Sequence, residues 1–397
     1  MEELKSRIKT LAEAYHSTAV SYRRHLHQHP ELSFEEYKTS EYVSDTIRSM
    51  GLEPVTGLGG GTGLYVDIGT GDRMIALRAD MDALPITEEA NHEYKSKNSG
   101  VMHACGHDVH TSSLLGVLHI LNELKEELPF RVRCIFQPGE EKLPGGASKM
   151  IADGVLEKPD AQLIIGQHVH PSFECGTVGV KSEAAMASCD ELYITIKGKG
   201  GHGALPHKVI DPIYVSAQVI TGLQSIVSRH ANPDTPSVLT IGKINSVGGA
   251  TNVIPEEVKM EGTFRTFDEP WRQEAYKLIR QKIEGICAAH GATADINIMS
   301  GYPSLYNNPD VTAAVKEAMI DYLGRDNVID MPLRMTAEDF SYYSQAIPAC
   351  FYRLGTAAPD GTKNSPVHTP TFDVDENSLK VGIGLMAWIA INLGAEK

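Results

Sequence analysis

The sequence predicts an α/β protein, in which a mostly parallel sheet is covered by helices and a smaller ferredoxin-like α+β domain is inserted into the chain. Two observations carry this prediction. Short apolar runs alternate with helical segments from about residue 60, and the rhythm changes between about residues 185 and 298 before it resumes. Strands that alternate with helices are typical of parallel sheets with covered faces. A length of 397 residues also suits two domains better than one.

The larger domain begins with an amphipathic helix in residues 1–20, where Leu4, Ile8, Leu11 and Tyr15 recur at helical spacing. The apolar runs that follow are short, which favours strands, and two segments between them have helical character. The predicted helices cover residues 112–128 and a segment near residue 150. The predicted strands are LYVDIG (64–69), MIALRAD (74–80), VRCIFQP (132–138) and QLIIGQH (162–168).

The segment 185–298 has a different order of elements, β-α-β-β-α-β, which is that of a ferredoxin-like sandwich. Its strands are ELYITIKGKG, SVLTIGKI, EVKMEGTFRTF and ATADINIM, and its helices cover residues 211–230 and 270–290. The first pattern then resumes with a helix at 309–323, the strand ACFYRLG and a helix at 376–393. We therefore expect one domain made of residues 1–184 and 299–397, interrupted by a satellite domain at 185–298.

Composition excludes several classes of partner. A net charge of −15 argues against nucleic acids and anionic membranes, because both require an excess of Lys and Arg. The first 20 residues lack the apolar core of a signal peptide, and no stretch has the ~18 uninterrupted apolar residues of a membrane span. The six cysteines show no close pairing, which disfavours disulfides. We expect a cytosolic protein that acts on small molecules.

Metal-capable side chains follow three of the predicted strands, where the carboxyl ends of parallel strands meet at one edge of a sheet. They are Asp80 and Asp82, the adjacent pair Glu140 and Glu141, and His168 and His170. The loop 103–110, between the first two of these strands, adds Cys105 and His107. Thiolate, imidazole and carboxylate are together the ligand set of Zn²⁺, with Mn²⁺, Co²⁺ or Ni²⁺ as alternatives. The sequence therefore predicts a metal site.

The spacing within two motifs suggests how such a site works. Gly106 lets the backbone bend so that Cys105 and His107 face one point, and the helix that begins after them would favour the thiolate form of Cys105. Cys105 as a nucleophile remains an alternative. Of the Glu140–Glu141 pair, one carboxylate can bind metal while the other stays free as a general base toward water, which is a hydrolase arrangement.

Seven motifs occur in order along the chain: RRHLHQHPELSFEE, LRADMDALP, MHACGHDVHT, FQPGEE, GKGGHGALPH, TNVIP and SPVHTP. Together they resemble the amidohydrolase branch of the M20 metallopeptidase family, which includes hippurate hydrolases, aminoacylases and plant auxin-conjugate hydrolases. The resemblance covers essentially the whole chain. It implies a metal-dependent amidohydrolase that cleaves N-acyl-L-amino acids, uses two divalent metal ions and forms a homodimer through the satellite domain.

The resemblance also implies individual roles. Glu140 would be the general base, and Asp82 would orient a metal ligand. His202 would donate a hydrogen bond to the developing oxyanion, Asn252 would contact the substrate, and Arg265 could pair with a substrate carboxylate. The metal ligands would be Cys105, His107, Glu141, His168 and His368. The broader family usually has His and Asp at the first two of these positions, so this ligand set follows the branch.

Several alternatives stay open. His170 could replace His168 as a ligand, and which ligand bridges the metals is undecided, as is whether His202 serves its own subunit or the partner. A dipeptidase or carboxypeptidase would use the same metals, and a non-catalytic protein would bind an acylated ligand beside structural ions. We expect surface or capping roles for the histidines before Pro30, and supporting or packing roles for those that flank the metal loop. These are His25, His27 and His29, and His103 and His110, respectively.

Overall fold

The computed structural model describes residues 1–395, and the chain divides into two compact units. Unit 1 consists of Met1–Glu183, Tyr306–Leu333 and the chain from Asp339 onward. Unit 2 consists of Ala184–Leu305 and Arg334–Glu338. The second predicted boundary, at 298, differs from the observed one, because the last strand of unit 2 continues to Ser300 and the chain returns to unit 1 only at Tyr306.

The elements are numbered here in chain order. The strands are β1 (Val55–Leu58), β2 (Gly63–Gly69), β3 (Met74–Asp80), β4 (Arg131–Gln137), β5 (Ala161–Glu174), β6 (Val178–Val180), β7 (Glu183–Met186), β8 (Asp190–Lys197), β9 (Gly201–His202), β10 (Ser237–Val247), β11 (Val253–Ile254), β12 (Glu257–Thr266), β13 (Thr293–Ser300), β14 (Leu305–Asn307), β15 (Val328–Asp330) and β16 (Ala349–Ala357). The helices are α1 (Glu2–Gln28), α2 (Tyr37–Ser49), α3 (His107–Glu123), α4 (Gly146–Ala152), α5 (Pro212–Arg229), α6 (Glu269–Ala289), α7 (Pro309–Leu323), α8 (Ser341–Ala346) and α9 (Asn377–Ala395).

Unit 1 is built on an eight-stranded sheet with the order β1-β2-β4-β3-β5-β16-β6-β15. Its centre is parallel: β3 pairs with β4 and β5, and β16 pairs with β5. Strands β1 and β2 extend it in antiparallel register. Both β3 and β16 are buried along their whole length, as expected for strands covered on both faces. The predicted α/β class with a mostly parallel sheet is confirmed.

Helices α1, α3 and α9 pack together over this sheet. A Cβ atom at Gly116 of α3 would lie 2.5 Å from Cγ2 of Ile383, so the absence of a side chain there lets α3 and α9 approach closely. Among residues 1–395, α9 is the one helix long and apolar enough to cross a membrane, and 78% of that stretch is buried. It has the character of a core helix. Helix α2 was not predicted, because few of its side chains are apolar apart from Val43 and Ile47, which it buries.

Unit 2 contains the elements β8-α5-β10-β12-α6-β13, the β-α-β-β-α-β order that its sequence predicts. Its four-stranded sheet has the order β10-β12-β8-β13, with every pair antiparallel. Residues of β8 alternate between buried and more exposed positions, which is expected when helices cover one face of a sheet. Leu192, Ile194 and Ile196 from this strand pack with Val219 and Leu223 of α5 in the core.

Candidate active site

The parallel pairing of β3, β4 and β5 places their carboxyl ends at one edge of the sheet in unit 1. Asp80 is the last residue of β3, and Glu140 and Glu141 follow the end of β4. Helix α3 starts at His107, directly after Cys105 and Gly106. The metal-capable residues that follow separate strands in the sequence thus lie at a common edge, as the rule for parallel sheets predicts.

Gly106 is required for the bend at the start of α3. Its φ is +84°, in the left-handed region, and a Cβ atom there would lie 2.6 Å from Cγ2 of Val169. A larger residue would be strained in backbone conformation and would also clash with β5. The bend presents Cys105 and His107 to the same edge, as expected from the Cys-Gly-His spacing.

Cys105, His107, Glu141, His168 and His368 form one cluster. Sγ of Cys105 lies 3.4 Å from Nε2 of His168 and 3.3 Å from Nε2 of His368. Nε2 of His368 lies 3.1 Å from Oε1 of Glu141, which in turn lies 4.0 Å from Nε2 of His107. Two ligands of one zinc ion, at bonds of about 2.0–2.3 Å, cannot be much more than about 4.5 Å apart. The donor atoms are spaced as ligands of shared ions would be.

The tautomers of two histidines favour metal binding. The Nδ1–H of His107 donates to Oδ1 of Asp82 at 3.1 Å, and that of His168 donates to the carbonyl of Val169 at 2.8 Å. Each bond leaves an Nε2 lone pair facing the cluster. In the part of the chain that the structure describes, the buried Nε2 of His107 has no hydrogen-bond partner. Because such orphaned atoms are rare, this donor set fits divalent metal ions.

His168 is better placed for this role than His170. The His170 ring stacks on Phe173 with centroids 4.2 Å apart. His168 is buried and lies beside Cys105. The geometry therefore favours His168 over His170 as a metal ligand.

A second layer of buried groups holds the cluster. Besides His107, Asp82 accepts the peptide N–H of Glu141 at 2.9 Å and the hydroxyl of Ser33 at 2.6 Å. The Nδ1–H of His110 donates to Asp80 at 2.5 Å, while its Nε2 accepts the peptide N–H of Val169 at 2.9 Å. His110 is thus a supporting residue, as expected.

Glu140 is buried beside the cluster, with its side chain within 4.8 Å of donor atoms of His107 and Glu141. One of its oxygens accepts the peptide N–H of Asp339 at 3.4 Å. Asp339 is itself fixed by Arg78, at 2.7 Å, and by the side-chain amide of Gln137. This carboxylate is therefore held next to the ligands by the backbone of a residue almost 200 positions away.

The charge state of Cys105 differs from the expectation. Burial raises the pKa of the Cys105 thiol well above its usual range, and the carboxylates of Glu141 and Glu140 raise it further. The start of α3 does not compensate for these effects, so the expected thiolate requires a cation nearby. A nucleophilic cysteine needs a lowered pKa, so this environment argues against that alternative.

His107 shows the same excess of negative charge. Burial lowers its pKa, but the carboxylates of Asp80, Asp82 and Glu141 outweigh burial and raise the pKa to about 10. A divalent cation among these groups would take over the role of the ring proton. The cluster therefore has the donor atoms of a metal site and an excess of carboxylates whose charge a divalent cation would offset.

His27 corrects a prediction. Instead of lying at the surface, its side chain is fully buried, with Nδ1 2.8 Å from Asp108 and Nε2 3.2 Å from Glu88. Arg23, one helical turn earlier, also binds Asp108, at 3.0 Å. The spacing of Arg23 and His27 on one helix face was the signal for this buried pair. Since both ring nitrogens face carboxylates, the site is satisfied by a protonated ring.

The remaining predicted residues lie in unit 2. The exposed His202 ends β9, and the peptide N–H of the next residue, Gly203, donates to the carbonyl of Asn252 at 2.8 Å. Nδ1 of His202 accepts the peptide N–H of Ala204 at 3.0 Å, so the neutral ring carries its proton on Nε2. Arg265 donates to the carbonyl of Met335 at 2.9 Å, which engages part of its guanidinium within the unit.

The chain is similar to known proteins over most of its length. Residues 76–392 match the sequence model of peptidase family M20/M25/M40. N-acetyl-L-cysteine deacetylase from Bacillus subtilis (strain 168) is 42% identical over 363 residues, which are 91% of this chain and 84% of that protein. Thermostable carboxypeptidase 2 from Saccharolobus solfataricus is 38% identical over 395 residues, 98% of each protein.

A solved Bacillus subtilis structure, described as a dinuclear metal binding peptidase from the M20 family, is 36% identical to this chain. It superposes with a TM-score of 0.81 and covers 96% of this chain and 99% of its own. The likeness thus extends over both units in sequence and in fold. The chain belongs to peptidase family M20/M25/M40 and is an amide hydrolase.

Proposed function

We propose that this protein removes the acyl group from N-acyl-L-amino acids with the help of two divalent metal ions, zinc or else manganese, cobalt or nickel. One observation carries the proposal: the Glu140 carboxylate, to which we assign no ligand role, is held beside a cluster of five other metal-capable side chains. A purely structural zinc site is closed and has no use for a spare carboxylate.

The proposed ligands are Cys105, His107, Glu141, His168 and His368. When bound, such ions lower the pKa of water and polarise a carbonyl oxygen. Glu140 takes a proton from the attacking water and delivers it to the nitrogen of the leaving amino acid. Asp82 orients both His107 and the backbone of Glu141, which keeps two of the ligands in place.

The resemblance to the family supports substrate contacts from three residues of unit 2, His202, Asn252 and Arg265. Because Nδ1 of His202 accepts a peptide N–H, its Nε2–H is available to donate to the oxyanion that forms from the scissile carbonyl. Asn252, in the turn directly before β11, is proposed as a further substrate contact. Arg265 retains donors for a substrate carboxylate, although one of them is used by Met335.

The choice of substrate rests on the relatives. The deacetylase relative supports an acylated amino acid, whereas the carboxypeptidase relative supports peptide cleavage as the second candidate. We also propose a homodimer through unit 2, where β10 is a long edge strand and carries the exposed residues Ile244 and Val247. The six free cysteines favour the cytosol as the compartment.

A substrate panel tests this function. The protein is freed of metal with a chelator, reloaded separately with Zn²⁺, Mn²⁺, Co²⁺ or Ni²⁺, and assayed with N-acetylcysteine, N-acetylmethionine, hippurate and simple dipeptides. We expect faster turnover of the N-acyl amino acids, with the Glu140→Gln protein as the inactive control. Preferred cleavage of the dipeptides would support the second candidate instead.

A further inference from the structure

The turn after β4, residues 138–141, carries the proposed base and one proposed ligand. The residues before and after Glu140 each donate their peptide N–H to a buried carboxylate. After Glu140, the N–H of Glu141 donates to Asp82 at 2.9 Å. Before Glu140, the N–H of Gly139 donates to Oε1 of Glu36 at 2.8 Å. The base is thus fixed between two anchored peptide groups, one of which depends on Glu36.

Glu36 is fully buried, and within residues 1–395 its carboxylate is held by hydrogen bonds and not by an ion pair with a basic side chain. Its Oε1 also accepts the peptide N–H of Phe34 at 2.9 Å, and its Oε2 accepts the hydroxyl of Thr62 at 2.7 Å. Although Glu36 is the N-cap residue of α2, its side chain makes no cap hydrogen bond. A carboxylate at this position commonly stabilises its own helix, and here it serves the turn instead.

The segment that carries Glu36 and the turn 138–141 are in close contact at Phe34 and Gly139. Phe34 and Gly139 both have positive φ angles, +66° and +59°. A Cβ atom on Gly139 would lie 2.5 Å from the ring of Phe34. The backbone of the turn therefore rests directly on the segment that carries Glu36, and a shift of the Gly139 peptide would move Glu140 with it.

We propose that Glu36 is a positioning residue, which sets the location of the Glu140 carboxylate by accepting the peptide N–H of Gly139. It does not touch the substrate or the metal ions. Its effect comes from hydrogen-bond geometry and reach, so an uncharged side chain of the same length can replace it. This inference rests on the proposed role of Glu140.

Three variants separate reach from charge. Glu36→Gln keeps an oxygen at the same distance, Glu36→Asp keeps the charge but is one methylene too short, and Glu36→Ala removes both. Glu31→Ala is the matched control, because Glu31 lies in the same segment and accepts the N–H and hydroxyl of Thr39, away from the turn. We expect kcat to fall about 10- to 100-fold in the Asp and Ala variants, with KM changed far less. The Gln variant should stay within a few-fold of wild type.

Hydrogen exchange of a peptide that contains Gly139 supplies a readout independent of activity. We expect faster exchange at this amide in Glu36→Asp and Glu36→Ala, and unchanged exchange in Glu36→Gln and Glu31→Ala. Wild-type kcat and exchange in Glu36→Asp would overturn the inference, and so would equal losses in the Asp and Gln variants. If the Ala variant does not fold, the Asp and Gln pair still decides. Failure of wild type to cleave any N-acyl amino acid would instead reject the proposed function, while the exchange experiment would still test the contact.

Discussion

Oδ1 of Asp82 lies 3.1 Å from Nδ1 of His107, while the other oxygen of the same carboxylate accepts the peptide N–H of Glu141 at 2.9 Å. One buried side chain thus orients an imidazole from the start of α3 and the backbone of the turn after β4. Burial alone would raise the pKa of Asp82, but the hydrogen bond and charge of His107 lower it overall. The carboxylate is therefore kept ionised where it can serve both partners.

Asp82→Asn should weaken metal binding about 10- to 100-fold, a typical effect of losing a group that orients a ligand. Asp82 accepts three hydrogen bonds, and an amide oxygen cannot accept from both sides of the carboxylate at once. Competition with a chromogenic chelator measures the affinity. Ser33→Ala, which removes one donor and leaves the carboxylate, is the control. Wild-type affinity in Asp82→Asn would contradict the orienting role.

Glu140→Gln should lower kcat by about 10²- to 10⁴-fold, because a general base contributes that much and an amide cannot accept the proton. Gln has nearly the same shape as Glu, and Glu140 is not among the proposed ligands. Elemental analysis should therefore find the same metal content in the variant as in wild type. Turnover near the wild-type rate would remove Glu140 from its role.

Cys105→Ala should lose both metal and activity. A thiolate among Glu141, His168 and His368 is stable only beside a cation, since burial and the nearby carboxylates raise the thiol pKa. The number of metal ions per chain, measured after dialysis, should decrease. If Cys105 were instead a nucleophile, the variant would be inactive with its metal content intact.

His202→Ala should reduce kcat about 10²- to 10³-fold, the usual loss when one oxyanion donor is removed. His207→Ala is a suitable control, since His207 is exposed in the same loop and has no proposed role. Steady-state kinetics with the best N-acyl amino acid checks the difference. Equal effects of the two variants would indicate a disturbed loop.

The His27 ion pairs predict a specific dependence of stability on pH. Burial lowers the pKa of His27, but the charge of Asp108 and hydrogen bonds to Asp108 and Glu88 raise it to about 9, from an unfolded value of 6.5. A raised folded-state pKa means that the stabilisation is fully present below pH 6.5 and is lost as the pH rises through about 9. The upper limit of this contribution is about 3 kcal/mol.

Urea unfolding of wild type and His27→Gln at pH 6, 8 and 10, in the presence of chelator, measures the contribution of the His27 ion pairs to stability. The difference in unfolding free energy should narrow as the pH rises. His119→Gln is the control, because burial lowers the pKa of His119. The difference in unfolding free energy between wild type and His119→Gln should therefore change only at acidic pH and stay constant above about pH 7. A constant difference for His27→Gln would show that the ring is neutral.

Site residues could be predicted from the sequence where a metal-capable side chain follows a predicted strand or begins a predicted helix. Asp82, Cys105, His107 and Glu141 follow strands or open a helix, and parallel pairing of these strands brings them to one edge. Residues whose function lies in a distant contact gave no such signal. Glu36 binds a peptide group 103 positions away, and Asp339 reaches Glu140 across 199 positions, which no local periodicity reveals. A surface or capping role was predicted for His27 because it lies near the helix end at Pro30, whereas this part of α1 packs against α3.

Strand β16 occupies a middle position of the sheet, between β5 and β6, although it consists of residues near the end of the chain. During translation, unit 2 is complete once Glu338 has been synthesised, when the sheet of unit 1 still lacks β16, which begins at Ala349. A nascent chain that stops before β16 leaves β5 and β6 without their shared neighbour, and Cys105 without the imidazole of His368. The full set of proposed donor atoms is present only once His368 has been synthesised, so the proposed metal site cannot be complete before then.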